Sequence, residues 1–502
     1  MSTDRTLTTL SAIELRDALS ARVVSAREVA EAHLEEIARL NPVVNALVTL
    51  TAETAMARAR ELDAVMARSG PAGALHGIPV AHKDLVETKG VRTTYGSPLF
   101  SEHVPEEDAA VVEKMAGAGA VSLGKTNTSE FGAGSQTFNR LFGATRNPYD
   151  PTKTAGGSSG GAAAALAAGM VALADGSDMG GSLRNPASFC NVVGFRPSPG
   201  LVSTWPTASA CPTYGVSGPM GRRVEDVALL LSVLAGDDPR LPLSLPLDGG
   251  VFAPPLRADV GRVRVAWSRN LGELAVTTAV TQVLEGSGRP AMLGLGWKVD
   301  DVEPDFAGAD DAFRTWRFWD HALTLGDLYR AHPDGFKPDL AWDIESGMAV
   351  TSADLMRATR RRGQVYTRVQ ALLRDYDVLA CPVSQVPPFP VELPWVTEID
   401  GVAQRTYLDW MRSAYFITVT GLPAVSVPCG FTTEGLPVGL QLVGRPRGDL
   451  RLLEIARVFE EATGAFARRP PEPPRPDGAP GSSSTVVARS PAPLKHADGD
   501  GP

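Results

Sequence analysis

The glycines and serines of Gly156 to Gly161 sit directly before a run of alanines, in the stretch PTKTAGGSSGGAAAALAAGM. At a domain edge such a cluster would be a flexible linker. Here it lies mid-chain, and alanine is the strongest helix former. A turn that feeds the chain into a helix is what this combination allows, and its neighbours show what the turn is embedded in. GIPVAHKDL (Gly77 to Leu85) is short, apolar and bounded by glycine and proline, which predicts a strand. AVSLGKTN predicts another, after the helical DAAVVEKMAGAG. MVALADGSDMGGSLRNPASF reads as a strand, a glycine-rich turn and a short helix, and VVGFRPS as a buried segment followed by a turn. RVRVAWS, DVLACPV and AVSVPCG predict late core strands, followed by the helix GDLRLLEIARVFEEAT. Near the start, SAIE and SARE are capping boxes. The second opens the helix EVAEAHLEEIARL, which Asn41-Pro42 is expected to break. Strands alternating with helices over this length predict an α/β fold with a mixed sheet.

Composition narrows the class. With 43% hydrophobic and 21% charged residues, the 502-residue chain can bury a large core. The net charge of −9 and the lack of a basic block with interleaved aromatics disfavour nucleic acid as a partner. Cys190, Cys211, Cys381 and Cys429 are far apart and show no metal-ligand spacing, so neither a metal site nor a disulfide framework is expected. No signal-like segment or bilayer-spanning run is evident, and a cytoplasmic enzyme without membrane attachment is the expectation. Asp237 to Gly261, rich in proline, reads as a surface loop between halves of the sheet. Residues 470–502, with 9 prolines, read as a disordered tail.

Two short patterns mislead. GAVSLGKT (Gly119 to Thr126) fits GxxxxGK[ST], but a P-loop needs its strand before the first glycine and a helix at the Lys-Thr. Here the order is reversed, and Lys125 is expected to be a surface or turn residue. GGSSG fits the G-x-S-x-G elbow, which needs an apolar strand before it and then an Asp and a His. TRNPYDPTKTA is no such strand, and the later histidines His321, His332 and His496 have no evident aspartate partner.

Three other segments combine chemically. Lys83 is an isolated cation in GIPVAHKDL, GGSSGG carries Ser158, and DMGGS ends in Ser182. Gly180 and Gly181 let consecutive N–H groups converge on one oxygen, with a nucleophilic hydroxyl immediately after. A serine needs a base, no histidine is near in sequence, and a desolvated lysine can serve.

These residues resemble the amidase signature family. The resemblance rests on the block from GGSSGG to GFRPS, on GIPVAHKDL, on GPMGRRVEDVALLLSVLAG and on TGLPAVSVPCGFTTEGLPVGLQLVGRP. It runs from about Leu7 to about Thr463 and is weakest between Asp237 and Asp375. It implies a large mixed, twisted β-sheet covered by helices on both faces, in one domain over residues 1–469. Within that domain fall N-terminal helices (7–67), a catalytic core (70–236), a variable substrate-side region (237–375) and a C-terminal core (376–469). It implies a Ser–cis-Ser–Lys triad: Ser182 as nucleophile, Ser158 with its cis peptide as bridge, and neutral Lys83 as base. Met179, Gly180, Gly181 and Ser182 would supply the oxyanion hole. Ser159 would be an auxiliary serine hydrogen-bonded near the lysine, and Asp178 and Arg184 would support the loop. The reaction implied is amide hydrolysis through an acyl-enzyme, with a small amide and water as reactants and no metal or cofactor. Two positions depart from the family pattern. His82 replaces a small apolar residue and should point to the face opposite Lys83, and Met179 replaces a threonine.

The variable region should set specificity. DDAFRTWRFWDHALTLGDLYRAHPDGF, with two tryptophans and three phenylalanines, and TYLDWMRSAYF are the candidate walls of an apolar or aryl pocket. The glutamine-hydrolysing component of tRNA-dependent amidotransferases, an ester or carbamate hydrolase and a non-catalytic binding protein stand as alternatives. GLVSTWPTASACP looks more like stand-alone amidases, and the sequence leaves monomer and homodimer open.

Overall fold

The computed structural model describes residues 7–211, 214–257 and 259–472. Its centre is an eleven-stranded mixed sheet. The strands in chain order are β1 (Leu47–Leu50), β2 (Pro79–Lys83), β3 (Val121–Thr126), β6 (Leu173–Asp178), β7 (Val193–Arg196), β8 (Val216–Gly221), β9 (Arg264–Trp267), β10 (Lys298–Asp301), β11 (Val378–Pro382), β14 (Ala424–Phe431) and β15 (Pro437–Gly444). Two short hairpins outside it are β4 (Phe138–Asn139) with β5 (Gly143–Ala144), and β12 (Glu398–Ile399) with β13 (Val402–Ala403). The spatial order is β1-β3-β2-β6-β8-β7-β14-β15-β11-β9-β10. β2 runs parallel to both β3 and β6, while β6–β8, β7–β14 and β14–β15 are antiparallel. Every residue of β2, β7, β11 and β15 is buried. Side chains alternate between the faces of a sheet, so such unbroken burial means that both faces are covered.

The helices are α1 (Ala12–Ser20), α2 (Ala26–Val44), α3 (Ala52–Ser69), α4 (Ala110–Gly117), α5 (Gly160–Ala167), α6 (Arg184–Phe189), α7 (Val224–Leu234), α8 (Thr278–Val283), α9 (Arg289–Gly294), α10 (Ala309–Ala331), α11 (Pro338–Met348), α12 (Ser352–Asp375), α13 (Arg412–Thr420) and α14 (Asp449–Thr463). Both capping boxes form, at Ser11 with Glu14 and at Ser25 with Glu28. The alanine run is α5, and all its residues are buried. No described helix is long and apolar enough to cross a membrane.

Three expectations change. Pro42 does not break α2, which continues to Val44. In the last turn a proline forfeits a single backbone bond. Asn41 offsets that loss, because its Oδ1 accepts from the N–H groups of Ala46 and Leu47. The loop from Asp237 to Gly261 is not only surface. Phe252, Leu256 and Val260 are buried in the main core, which also takes up the inner face of α7. Lys125 is neither a surface nor a turn residue: it lies in β3, fully buried. Its Nζ donates to Val86 O, to Thr88 Oγ1 at 2.8 Å and to Thr93 Oγ1 at 3.0 Å. Lys125→Met strands those acceptors, and should destabilise the fold by about 1–3 kcal/mol in a denaturant melt. A melt that matches wild type would show that Lys125 is dispensable as a staple. All but the first three residues of the proline-rich tail fall outside the described residues.

Candidate active site

The three residues singled out for chemistry come from three different elements. Lys83 ends β2, Ser158 lies in the turn before α5, and Ser182 lies between β6 and α6. β2 and β6 are neighbours in the sheet, so the turns that leave their C-terminal ends open side by side. Lys83 is completely buried, and its Nζ donates to Ser158 Oγ at 2.7 Å and to Ser177 Oγ at 3.0 Å. The peptide between Gly157 and Ser158 is cis. Ser182 is the most exposed of the three at 7%, against 1% for Ser158 and 0% for Lys83. The hydroxyl closest to solvent is therefore that of Ser182, and the lysine lies deepest. The Ser182 carbonyl also accepts from the Ser159 N–H at 3.2 Å, which ties the two serine turns together.

Burial holds the Lys83 amine at a pKa of about 7, against the opposing pull of Asp178 and Asp175. Desolvation penalises an ammonium that has no direct carboxylate partner. An amine so placed is partly neutral near pH 7 and can accept a proton from Ser158.

Asp178 and Arg184 form the frame of the loop. Burial alone would raise the Asp178 pKa, but Arg184 and then Arg196 hold the carboxyl well below the usual range. Arg184 donates to Asp178 Oδ2 at 3.0 Å and Oδ1 at 2.9 Å. The same guanidinium reaches Ala414 O, Thr418 Oγ1 and Gln441 Oε1, which locks the loop to α13 and β15. Arg196 adds a further contact to Asp178 Oδ1 at 3.2 Å. Replacing Asp178 by Ala leaves two buried guanidiniums without their carboxylate. The expected cost is about 3–5 kcal/mol, read as a fall in the denaturation midpoint. A midpoint unchanged from wild type would show that the frame does not depend on this carboxylate.

Two assigned roles need correction. The N–H of Gly181 donates to Asp178 Oδ1 at 3.0 Å, so it does not face a substrate. A positive φ of 105° turns it inward, and a side chain there would meet Ala414 Cβ at 2.4 Å, so only glycine fits. Ser159 does not hydrogen-bond near the lysine. Its Oγ has no partner, because it is packed against β6, where a Cβ on Gly176 would lie 2.8 Å from it. The second hydroxyl beside the amine, after that of Ser158, is that of Ser177.

His82 is buried, and its Nδ1 donates to Asp175 Oδ2 at 2.5 Å. His321 does have an aspartate partner, since its Nδ1 lies 3.0 Å from Asp343 Oδ2. That pair belongs to a cluster with Arg317 and Tyr407 and touches neither Ser158 nor Ser182. The sequence reading missed Asp175, Ser177, Arg196 and Gln441. Arg196 carried a usable signal: it is the one charge of the strand VGFR, and a charge at a buried position needs a partner.

The candidate walls separate into core and site. In α10, Phe313 stacks on Tyr415 at 4.1 Å and approaches the nucleophile loop. A Cβ on Gly180 would lie 3.4 Å from Phe313 Cζ and 2.8 Å from Met411 Cε. Trp316 and Trp319 pack edge to face with each other, and Phe318 packs on Trp342.

The buried lysine hydrogen-bonded to a serine and the glycine loop beside it lie together at the C-terminal ends of β2 and β6 of the large mixed sheet. The amidase family model matches residues 28–453, and the chain belongs to that family, the amidase signature enzymes; it is an amide-hydrolysing enzyme. Among its relatives, the A subunit of the glutamyl-tRNA(Gln) amidotransferase of Azoarcus sp. (strain BH72) is 37% identical over 92% of this chain and 99% of its own length. The acylamidase of Rhodococcus erythropolis is 34% identical over 91% of this chain and 96% of its own length. The crystal structure of a bacterial aryl acylamidase of the same family superposes with a TM-score of 0.84 at 27% identity, over 91% of this chain and 98% of that one.

Proposed function

We propose that this amidase hydrolyses small apolar or aryl amides through Ser182, with Ser158 as relay and Lys83 as base. One observation carries the reading: a fully buried lysine amine, 2.7 Å from Ser158 Oγ and poised near neutrality. In the mechanism, Ser182 Oγ attacks the amide carbon while its proton passes to Ser158 Oγ and the Ser158 proton passes to Lys83 Nζ. The N–H groups of Met179, Gly180 and Ser182 are the donors assigned to the developing oxyanion. The resulting Lys83 ammonium returns a proton through Ser158 to the leaving nitrogen, and the C–N bond breaks. Water then attacks the acyl-Ser182 ester by the same relay, which releases the acid. Nothing in these steps calls for a metal or cofactor.

The preference for apolar amides rests on what flanks Gly180. Phe313 and Met411 offer no charge to pair with a free amino acid. The guanidinium nearest to Met179, that of Arg317, is engaged by Asp343 and Tyr407. The 37% identity to the amidotransferase component favours a second reading, glutamine hydrolysis. A fluorophosphonate probe followed by peptide mass spectrometry, with hydrolysis of anilides and of glutamine measured in parallel, tests both. Labelling of Ser182 with anilide turnover is the expected result. Labelling with glutamine turnover alone would favour the second reading, and an unlabelled Ser182 would overturn both.

A further inference from the structure

Lys83 stands just beyond an irregularity in the sheet. The β2–β3 register shifts between Val80 and His82, and the β2–β6 pairing runs only through Val80 and Ala81. At Lys83 the ladder with β6 has ended, so its backbone N–H has no strand carbonyl to bond. Asp175 supplies the acceptor instead: its Oδ1 takes the Lys83 N–H at 2.9 Å. The other oxygen of this carboxylate, Oδ2, takes His82 Nδ1 at 2.5 Å. All three residues are buried, with Asp175 and Lys83 at 0% exposure and His82 at 2%. The carboxylate thus holds two consecutive residues of β2, one by its backbone and one by its side chain.

We propose that Asp175, oriented by His82, is a positioning residue for Lys83: it fixes the backbone from which the amine reaches Ser158 and adds a buried negative charge close to that amine. The proposal rests on the reading of Lys83 as the base. The charged groups around it come from three strands and the loops that follow them. On β3, Lys125 is the cross-strand partner of His82. After β2, Asp84 is occupied by Thr94. At the end of β6, Asp178 is shared between Arg184 and Arg196. Asp175 is therefore the one carboxylate in this set that bonds to Lys83 itself. His82 and Asp175 make one unit, because a bare carboxylate at this depth would be costly without its second donor.

Two substitutions separate the parts of this role. Asp175→Asn keeps an acceptor oxygen for the Lys83 N–H and removes the charge. With less to stabilise the ammonium, Lys83 loses its proton at lower pH, so the acid limb of the kcat/KM profile should move toward acid by about half a pH unit or more. Its kcat on the alkaline plateau should stay within about threefold of wild type. Asp175→Ala removes the acceptor as well, and a base displaced by a fraction of an ångström should lose about tenfold or more in kcat with KM little changed. If Asp175→Ala does not fold, the pH profile of Asp175→Asn carries the test alone. Fluorophosphonate labelling of wild-type Ser182, run alongside, keeps the two claims distinct: no label removes the reading of the triad itself. A labelled wild type, together with an Asp175→Asn profile that does not move or an Asp175→Ala kcat within about threefold of wild type, overturns the positioning role alone.

Discussion

Ser182→Ala should fold as the wild type does and lose turnover of an activated anilide by about 10⁴- to 10⁶-fold, the range expected when the nucleophile of a coupled set is removed. The fold should survive because the bond between the two serine turns uses the Ser182 backbone carbonyl, which alanine keeps. No acyl adduct should appear in mass spectra of the quenched variant, while wild type with a slow-deacylating ester should carry one on Ser182. Ser158→Ala keeps nucleophile and base but breaks the 2.7 Å link to Lys83, so its loss should be deep and smaller than that of Ser182→Ala. Near-normal turnover by a folded Ser182→Ala protein, or an acyl group found on Ser158, would sink the assignment.

Lys83→Met should abolish activity to a comparable depth and make the protein more stable. Burial places the folded-state pKa of Lys83 at about 7, below its ordinary value of 10.5. Between those two pH values the unfolded chain carries a proton that the folded chain does not, so folding must release it. The stability of wild type therefore rises with pH across that window, and the penalty is largest at and below pH 7. Methionine has a similar length and no charge to desolvate, so Lys83→Met should melt higher than wild type at about pH 7, and the gap should close toward about pH 10. Activity follows the same titration in the opposite sense to a group that must be charged. The base works only when neutral, so kcat/KM should climb as pH rises through about 7 and then level off. A rate that falls over that range, or a Lys83→Met protein that is less stable at neutral pH, would contradict the buried neutral amine. Such a gain in stability on losing a functional group is the usual trade at a site built from desolvated polar atoms.

Much of the fold was legible because the sheet is assembled from short apolar runs bounded by glycine and proline. The strands at Pro79–Lys83, Val121–Thr126, Leu173–Asp178 and Val378–Pro382 fall within such runs. Val216–Gly221 and Pro437–Gly444 were not read as strands, since glycine and proline inside them blur the pattern. The capping boxes at Ser11 and Ser25 are local and could be read directly.

The sequence by itself determined the order and identity of Lys83, Ser158 and Ser182, because their chemistry depends on residue type and their segments resemble a known family. It also determined that the turn from Gly156 to Gly161 leads into a helix, because alanine is the strongest helix former. Only the tertiary structure decided which donors and acceptors meet. The Gly181 N–H turns to Asp178, Ser177 rather than Ser159 bonds to the lysine, and Asp175 takes the Lys83 N–H where the β2–β6 ladder ends. Arg196 arrives at Asp178 from another strand, and Gln441 reaches Arg184 from 257 residues away. The physical reason is the same in each case. A buried polar group must find a partner within about 3 Å, and which group comes that close is set by strand register and by a single backbone dihedral, neither of which any local pattern of residues encodes.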